Sequence, residues 1–193
     1  MGLDMYLEVE VYVSRPVEWM KEESIAEATP KWEKILSLLP GVPSDHSYGA
    51  TIQYTVAYWR KANAIHKWFV DNVQDSVDNC ERSYVDVDQL KDLLALCNRV
   101  VDSAALEDGR VKNGSHAGPD TGGEWVDDYE DGKVITNAEA ISELLPTKGG
   151  FFFGDTSYNE YYLEHVKDTI KQLTSILEEY KDKSVDFYYR ASW

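Results

Sequence analysis

Apolar and polar residues alternate strictly over residues 3–13. Leu3, Met5, Leu7, Val9, Val11 and Val13 fall on one side, and Asp4, Tyr6, Glu8, Glu10 and Tyr12 on the other. A period of two predicts a half-buried strand. The same alternation returns in "ATIQYTVAYW", with Ile52, Tyr54 and Val56 on one face, and its β-branched and aromatic content predicts a second strand. Helical spacing appears in "DVDQLKDLLALCNRVVDSA", where Leu90, Leu93, Leu94, Cys97, Val100 and Val101 form one stripe. Asp86 or Asp88 can cap its start. Leu163, Val166, Ile170, Leu173 and Leu177 predict a second long helix.

Between these elements the pattern is weaker. "PVEWMKEESIAEATPKWEKILSLLP" is helical in composition but carries Pro30, which predicts a weak helix before the proline and a better one over 31–39. "GVPSDHSYG" reads as a loop, "DNVQDSVDNCERSYV" as a polar connection and "NAEAISELLP" as a short helix. "GGFFFG" and the C-terminal "SVDFYYRASW" read as strands. Residues 106–136 are rich in glycine and acids with no sustained apolar period, which predicts a mobile or β-ribbon insertion. The order predicts a single α+β domain spanning 1–193. It has a mixed or antiparallel sheet of about four strands, helices mainly on one face, and that insertion.

Charge changes the picture. The 193 residues hold 35 acids against 19 Lys plus Arg, a formal net charge of −16. Such a field repels phosphate backbones, so direct DNA binding is not expected, and it attracts basic surfaces. The chain has no apolar run long enough to cross a membrane and no basic leader. Two distant cysteines, Cys80 and Cys97, predict neither a disulfide framework nor a zinc site, which fits a cytosolic protein. His46, His66, His116 and His165 show no metal-ligand spacing, and no nucleophile elbow is present. No catalytic residue, metal or cofactor is therefore predicted.

Against this acidic background, "YWRKANAIHKWF" at 58–69 gathers four aromatic rings, three cations, one imidazole and one amide. On a helical wheel from Trp59 to Val73, Ala62, Ile65, Phe69 and Val73 face the core, with Trp59 and His66 on the flank. Arg60, Asn63 and Lys67 share the opposite side, and Trp68 lies off the apolar face. An amphipathic helix with a solvated cationic side accounts for this pattern. So does a site for a small anionic, nucleotide-like ligand built from Trp59, Arg60, Asn63, His66, Lys67 and Trp68, whose fork, amide and point charge suit phosphate or carboxylate oxygens. A second segment, "KGGFFFGDTSYNEYY", sets glycines before three rings and a helix start.

The blocks "MGLDMYL", "YWRKANAIHKWFVDNVQDSVDNC" and "LLPTKGGFFFGDTSYNEYYLEHVKDTI" resemble a family of small accessory proteins encoded by bacteriophages and prophages. The resemblance implies context rather than chemistry: an accessory gene expressed in the bacterial host cytoplasm, with an expected role against host defence. Two physical routes follow. One is sequestration of a host signalling nucleotide without cleavage. The other is an acidic nucleic-acid mimic that occupies a basic host defence protein. The cationic and aromatic block favours the first, and net charge favours the second. A nucleotide-processing enzyme is a third reading, and a homo-oligomer is compatible with each.

Overall fold

A computed structural model describes residues 2–38, 41, 48–119, 123, 125–150 and 152–193, with the side chains of 113–119 and 125 outside the description. Most of the loop predicted at 41–49, with His46, lies outside the described residues, as does the His116 side chain.

The alternating N-terminal segment is β1 (Asp4–Ser14), and it takes an interior position in the sheet. β2 (Gly49–Arg60) pairs with it on one side and β6 (Asp186–Ser192) on the other. β3 (Ser83–Val85) completes the order β2-β1-β6-β3, every neighbour antiparallel. The predicted α+β class holds, and the sheet is antiparallel. A register shift opposite Leu7 and Glu8 lets Leu7 face Ala57 while Glu8 faces Thr55, so Val56 is the extra residue of a bulge.

The apolar side of β1 is fully buried at Leu3, Met5, Leu7 and Val9. It packs under α2 (Asn63–Val73), α3 (Val87–Ser103) and α5 (Glu160–Glu179), with Ile65, Phe69, Leu93, Cys97, Val166 and Leu173 filling the core. The Phe69 and Tyr189 rings stack at 4.0 Å within it. Asp86 caps α3 through a reciprocal bond with Gln89, as its spacing predicts. On the other side of the sheet Glu8 is 3% exposed. Its carboxylate accepts from Arg190 Nε at 2.7 Å, Arg82 Nε at 3.0 Å and Gln53 Nε2 at 2.6 Å. Burial alone would raise its pKa, but the bonds from Arg190 and Arg82 outweigh that and lower it.

Several sequence expectations change. α1 (Glu22–Leu38) is continuous through Pro30 rather than split there. The proline costs one backbone bond, and Trp32 and Ile35 hold the following turn against Val13. The polar connection after α2 contains β3. "GGFFFG" is not a strand: Phe152 and Gly154 have φ of 65° and 90°, which breaks extended pairing. Phe153 instead inserts as a wedge, its ring edge-on to His66 at 5.3 Å. The insertion is a β-ribbon, β4 (Leu106–Pro119) paired with β5 (Trp125–Ile135). Its base is not loose, because Val111 and Ile135 are buried and Ile135 joins the main core. α4 (Ala138–Leu144) follows and buries Ile141.

Candidate functional site

The cationic-aromatic block is not one helix. Arg60 is the last residue of β2, opposite Asp4 in the ladder. Lys61 has a φ of 57°, and α2 begins at Asn63. The shared face predicted for Arg60, Asn63 and Lys67 therefore does not form: a strand end and a reversed residue stand where the wheel assumed helix.

Each predicted residue has a distinct place. Trp59 is buried and donates its indole N–H to Thr169 Oγ1 at 3.0 Å. Trp68 is buried too, edge-on to Phe69, so it is a core ring rather than a free stacking platform. Lys67 points away and pairs with Asp71 at 2.6 Å, one helical turn on. His66 is fully buried between Tyr189 Oη at 2.7 Å and Asp78 Oδ2 at 3.0 Å. Desolvation lowers its pKa, partly offset by Asp78. The neutral ring then donates from Nε2 to Asp78 and accepts the Tyr189 hydroxyl at Nδ1. Asn63 is buried, and its amide donates to Asp155 O at 2.8 Å and to Phe153 O at 3.2 Å. It is the peg that fixes the loop before α5 to the start of α2.

That peg joins the two sequence blocks around a cavity of about 390 Å³, a volume suited to a small ligand. From the first block come Arg60, Lys61 and Asn63; from the second come Gly154, Asp155, Ser157, Tyr161 and Tyr162. Lys112 of β4 and His165 of α5 close the lining. The two loops pass each other closely. A Cβ on Gly154 would lie 3.1 Å from Lys61 Cβ, and its φ of 90° already favours glycine. Asn159 caps α5, accepting from the backbone N–H of Tyr161 at 3.0 Å and Tyr162 at 3.1 Å.

Three cations and one carboxylate line this cavity, in a chain whose acids outnumber its Lys and Arg by 35 to 19. Arg60 and Lys61 make no ion pair with any described residue, while Lys112 pairs with Asp127. The bond to Asp127 raises the Lys112 pKa against the opposing effect of burial, so it stays charged. The one carboxylate, Asp155, is engaged by Ser157 Oγ at 3.0 Å and Asn159 Nδ2 at 3.3 Å. Burial lowers the pKa of His165, more than Glu164 and Asp168 raise it, so near pH 7 it offers a neutral ring. Tyr162 is buried with its hydroxyl on Leu145 O, while Tyr161 exposes its ring and donates to Glu130. Local charge is thus reversed beside aromatic surface. Of the six predicted residues only Arg60 and Asn63 reach the lining. Lys61, Lys112, Tyr161 and His165 were missed as site residues, and the positive φ of Lys61 carries no signature in sequence.

Among the described residues no group of three or more His, Cys, Asp and Glu could hold a metal ion, and no helix is long and apolar enough to cross a membrane. Comparison with protein-family models, curated proteins and solved structures gives no match.

Proposed function

We propose that this protein binds a small anionic, ring-bearing molecule of the nucleotide class in the cavity between Arg60 and Tyr161, and holds it without cleaving it. The observation that carries this reading is the reversal of charge: three cations line one cavity of a strongly acidic chain. Arg60 offers a planar fork and Lys61 a compact charge for phosphate or carboxylate oxygens. Tyr161 offers a ring face for a base, worth about 1–3 kcal/mol where a base stacks fully. The setting implied by the sequence resemblance, a phage accessory protein in a bacterial cytoplasm, makes a host immune signalling nucleotide the natural ligand. Sequestration there would blunt the host response.

The test is calorimetric titration with a panel of cyclic dinucleotides, cyclic trinucleotides and ADP-ribose-type nucleotides. The wild type should bind at least one of them. Arg60→Gln combined with Lys61→Gly should weaken that binding at least tenfold while melting unchanged, because glycine accepts the φ of 57° at position 61. Heat-denatured complex should release the ligand intact. Release of a cleaved product would make the protein an enzyme, and His165 its first candidate base. Binding to no member of the panel would sink the reading and favour an acidic mimic of nucleic acid directed at a basic host defence protein.

A further inference from the structure

β2 is an edge strand of the main sheet, with no strand paired to its outer side among the described residues. Edge strands are ordinarily blunted by charge, proline, brevity or a covering element. β2 spans 12 residues, and its devices, the bulge at Val56 and the Gln172 contact at Tyr58, lie in its second half, which leaves residues 49–55 without any. The longest stretch of the chain without Asp, Glu, Lys or Arg runs from 46 to 59 and includes all of β2 except Arg60. No proline interrupts the strand. Thr51, Ile52, Gln53, Tyr54 and Thr55 are all exposed. Large apolar side chains cluster beside them: Ile52 and Tyr54 are each 43% exposed, and Tyr12, opposite Thr51, is 62% exposed.

One point of the edge is closed from within. The Gln172 side chain of α5 donates to Tyr58 O at 3.2 Å and accepts from Tyr58 N–H at 3.0 Å, as a neighbouring strand would. Tyr58 lies opposite Tyr6, on the face of the sheet that also carries Glu8, Glu10 and Tyr12. Those residues pair with Thr55, Gln53 and Thr51, so these three share the Tyr58 face. In a strand, residues on one face send their backbone groups to the same edge. Thr51, Gln53 and Thr55 therefore present N–H and C=O groups outward that no described residue takes up, and Gln172 marks where that stretch stops.

We propose that this edge pairs with the same edge of a second copy, antiparallel about a two-fold axis at Gln53, giving a closed dimer with one eight-stranded sheet. Charge narrows the occupant. Each copy carries −16, so two copies meet with least repulsion where no like charges are set directly opposite one another, and the longest uncharged strip of the chain is β2, which a strongly basic partner has no reason to prefer. Symmetry fits as well, because an antiparallel strand paired with itself is self-complementary: Thr51 meets Thr55 of the second copy, and Gln53 meets Gln53. The opposite edge, β3, has three residues and cannot template a long partner. Assembly stops at two rather than growing into a filament.

Sedimentation of the purified full chain at micromolar concentration should give twice the chain mass of 22.0 kDa. Gln53→Cys in a Cys80→Ser background should oxidise to a covalent dimer, since residues exchanging both bonds in an antiparallel pair lie about 5.5 Å apart at Cα, within disulfide reach. Asp88→Cys on α3, in the same background, should form no covalent dimer under that oxidation. Thr51→Pro removes an outward N–H without breaking a bond to β1, and should yield a monomer with unchanged far-ultraviolet dichroism. If Thr51→Pro unfolds, the cross-link decides alone. A monomeric wild type, a dimer that Gln53→Cys fails to cross-link, or an assembly larger than two would each overturn the proposal.

Discussion

Removing one oxygen from the core should reveal how the buried imidazole is held. Tyr189 is fully buried, and burial raises the pKa of its hydroxyl well above the usual value, so it remains a donor. It is the partner of His66 Nδ1 at 2.7 Å, with no water-facing alternative. Tyr189→Phe keeps the ring stacked on Phe69 and deletes only that donor. A buried acceptor left unpaired costs about 1–3 kcal/mol. For a chain of this size each kcal/mol lowers Tm by about 2–4 °C. The same ring sets a pH dependence. Burial lowers the folded pKa of His66, whereas the unfolded chain takes up its proton near pH 6.5. The unfolded state thus binds more protons below that point, and stability present above about pH 6.5 is lost as pH falls toward the folded value. The slope from His66 cannot exceed about 1.4 kcal/mol per pH unit. His165, lowered by burial as well, adds in the same direction. Urea unfolding of both proteins between pH 7.5 and 5.5 measures these effects. Equal stability of Tyr189→Phe and wild type, or a flat profile across that range, would refute the hydrogen-bond assignment around His66.

Two further outcomes follow from packing. Asn63→Ala strands the carbonyls of Phe153 and Asp155, so it should cost about 1–3 kcal/mol by denaturant unfolding and weaken binding of any cavity ligand, because the second block loses its peg. Replacing 106–136 with a short Gly/Ser linker should remove most of the stability, since Ile135 leaves the main core, and Ile135→Ala alone should cost about 2–4 kcal/mol by the same assay.

The fold was legible where one periodicity ran long. Strict alternation identified β1 because Leu3, Met5, Leu7, Val9 and Val13 are buried on one side, whereas Tyr6, Glu10 and Tyr12 on the other are not. The stripes of α3 and α5 were equally plain, since both helices are amphipathic and pack mainly on each other. Local rules failed where a tertiary contact overrides them. Pro30 looked like a break, but its turn is held by Trp32 and Ile35. Three phenylalanines looked like a strand, but Phe153 is drawn inward by His66 and Trp193. β3 is too short for a period of two to register. The site was half visible. Both blocks stood out by composition, yet their meeting rests on Asn63 bonding 90 and 92 residues away. The wheel that grouped Arg60 with Lys67 assumed a helix through Lys61, and one positive φ removes that assumption.

The cation-rich block thus has two separate explanations. Its C-terminal half is structural: His66 and Trp68 are core, and Lys67 is spent on Asp71. Its N-terminal half supplies Arg60 and Lys61 to a cavity whose other cation comes from β4. An anion approaching this protein meets repulsion first, because the whole-chain field is negative and extends about one Debye length, roughly 8–10 Å, into solution. Affinity must then come from contacts inside that distance, where Arg60 and Lys61 outweigh remote acids and where Tyr161 adds a ring face. Long-range steering and short-range binding have opposite signs here. A polyanion such as nucleic acid meets the repulsion of the acidic exterior and cannot fit all its charge into a 390 Å³ cavity. A small anion can place its few charges against the cations and leave little in the repulsive field. Size and charge together therefore favour a compact anionic ligand over a polymer, as the sequestration proposed above requires.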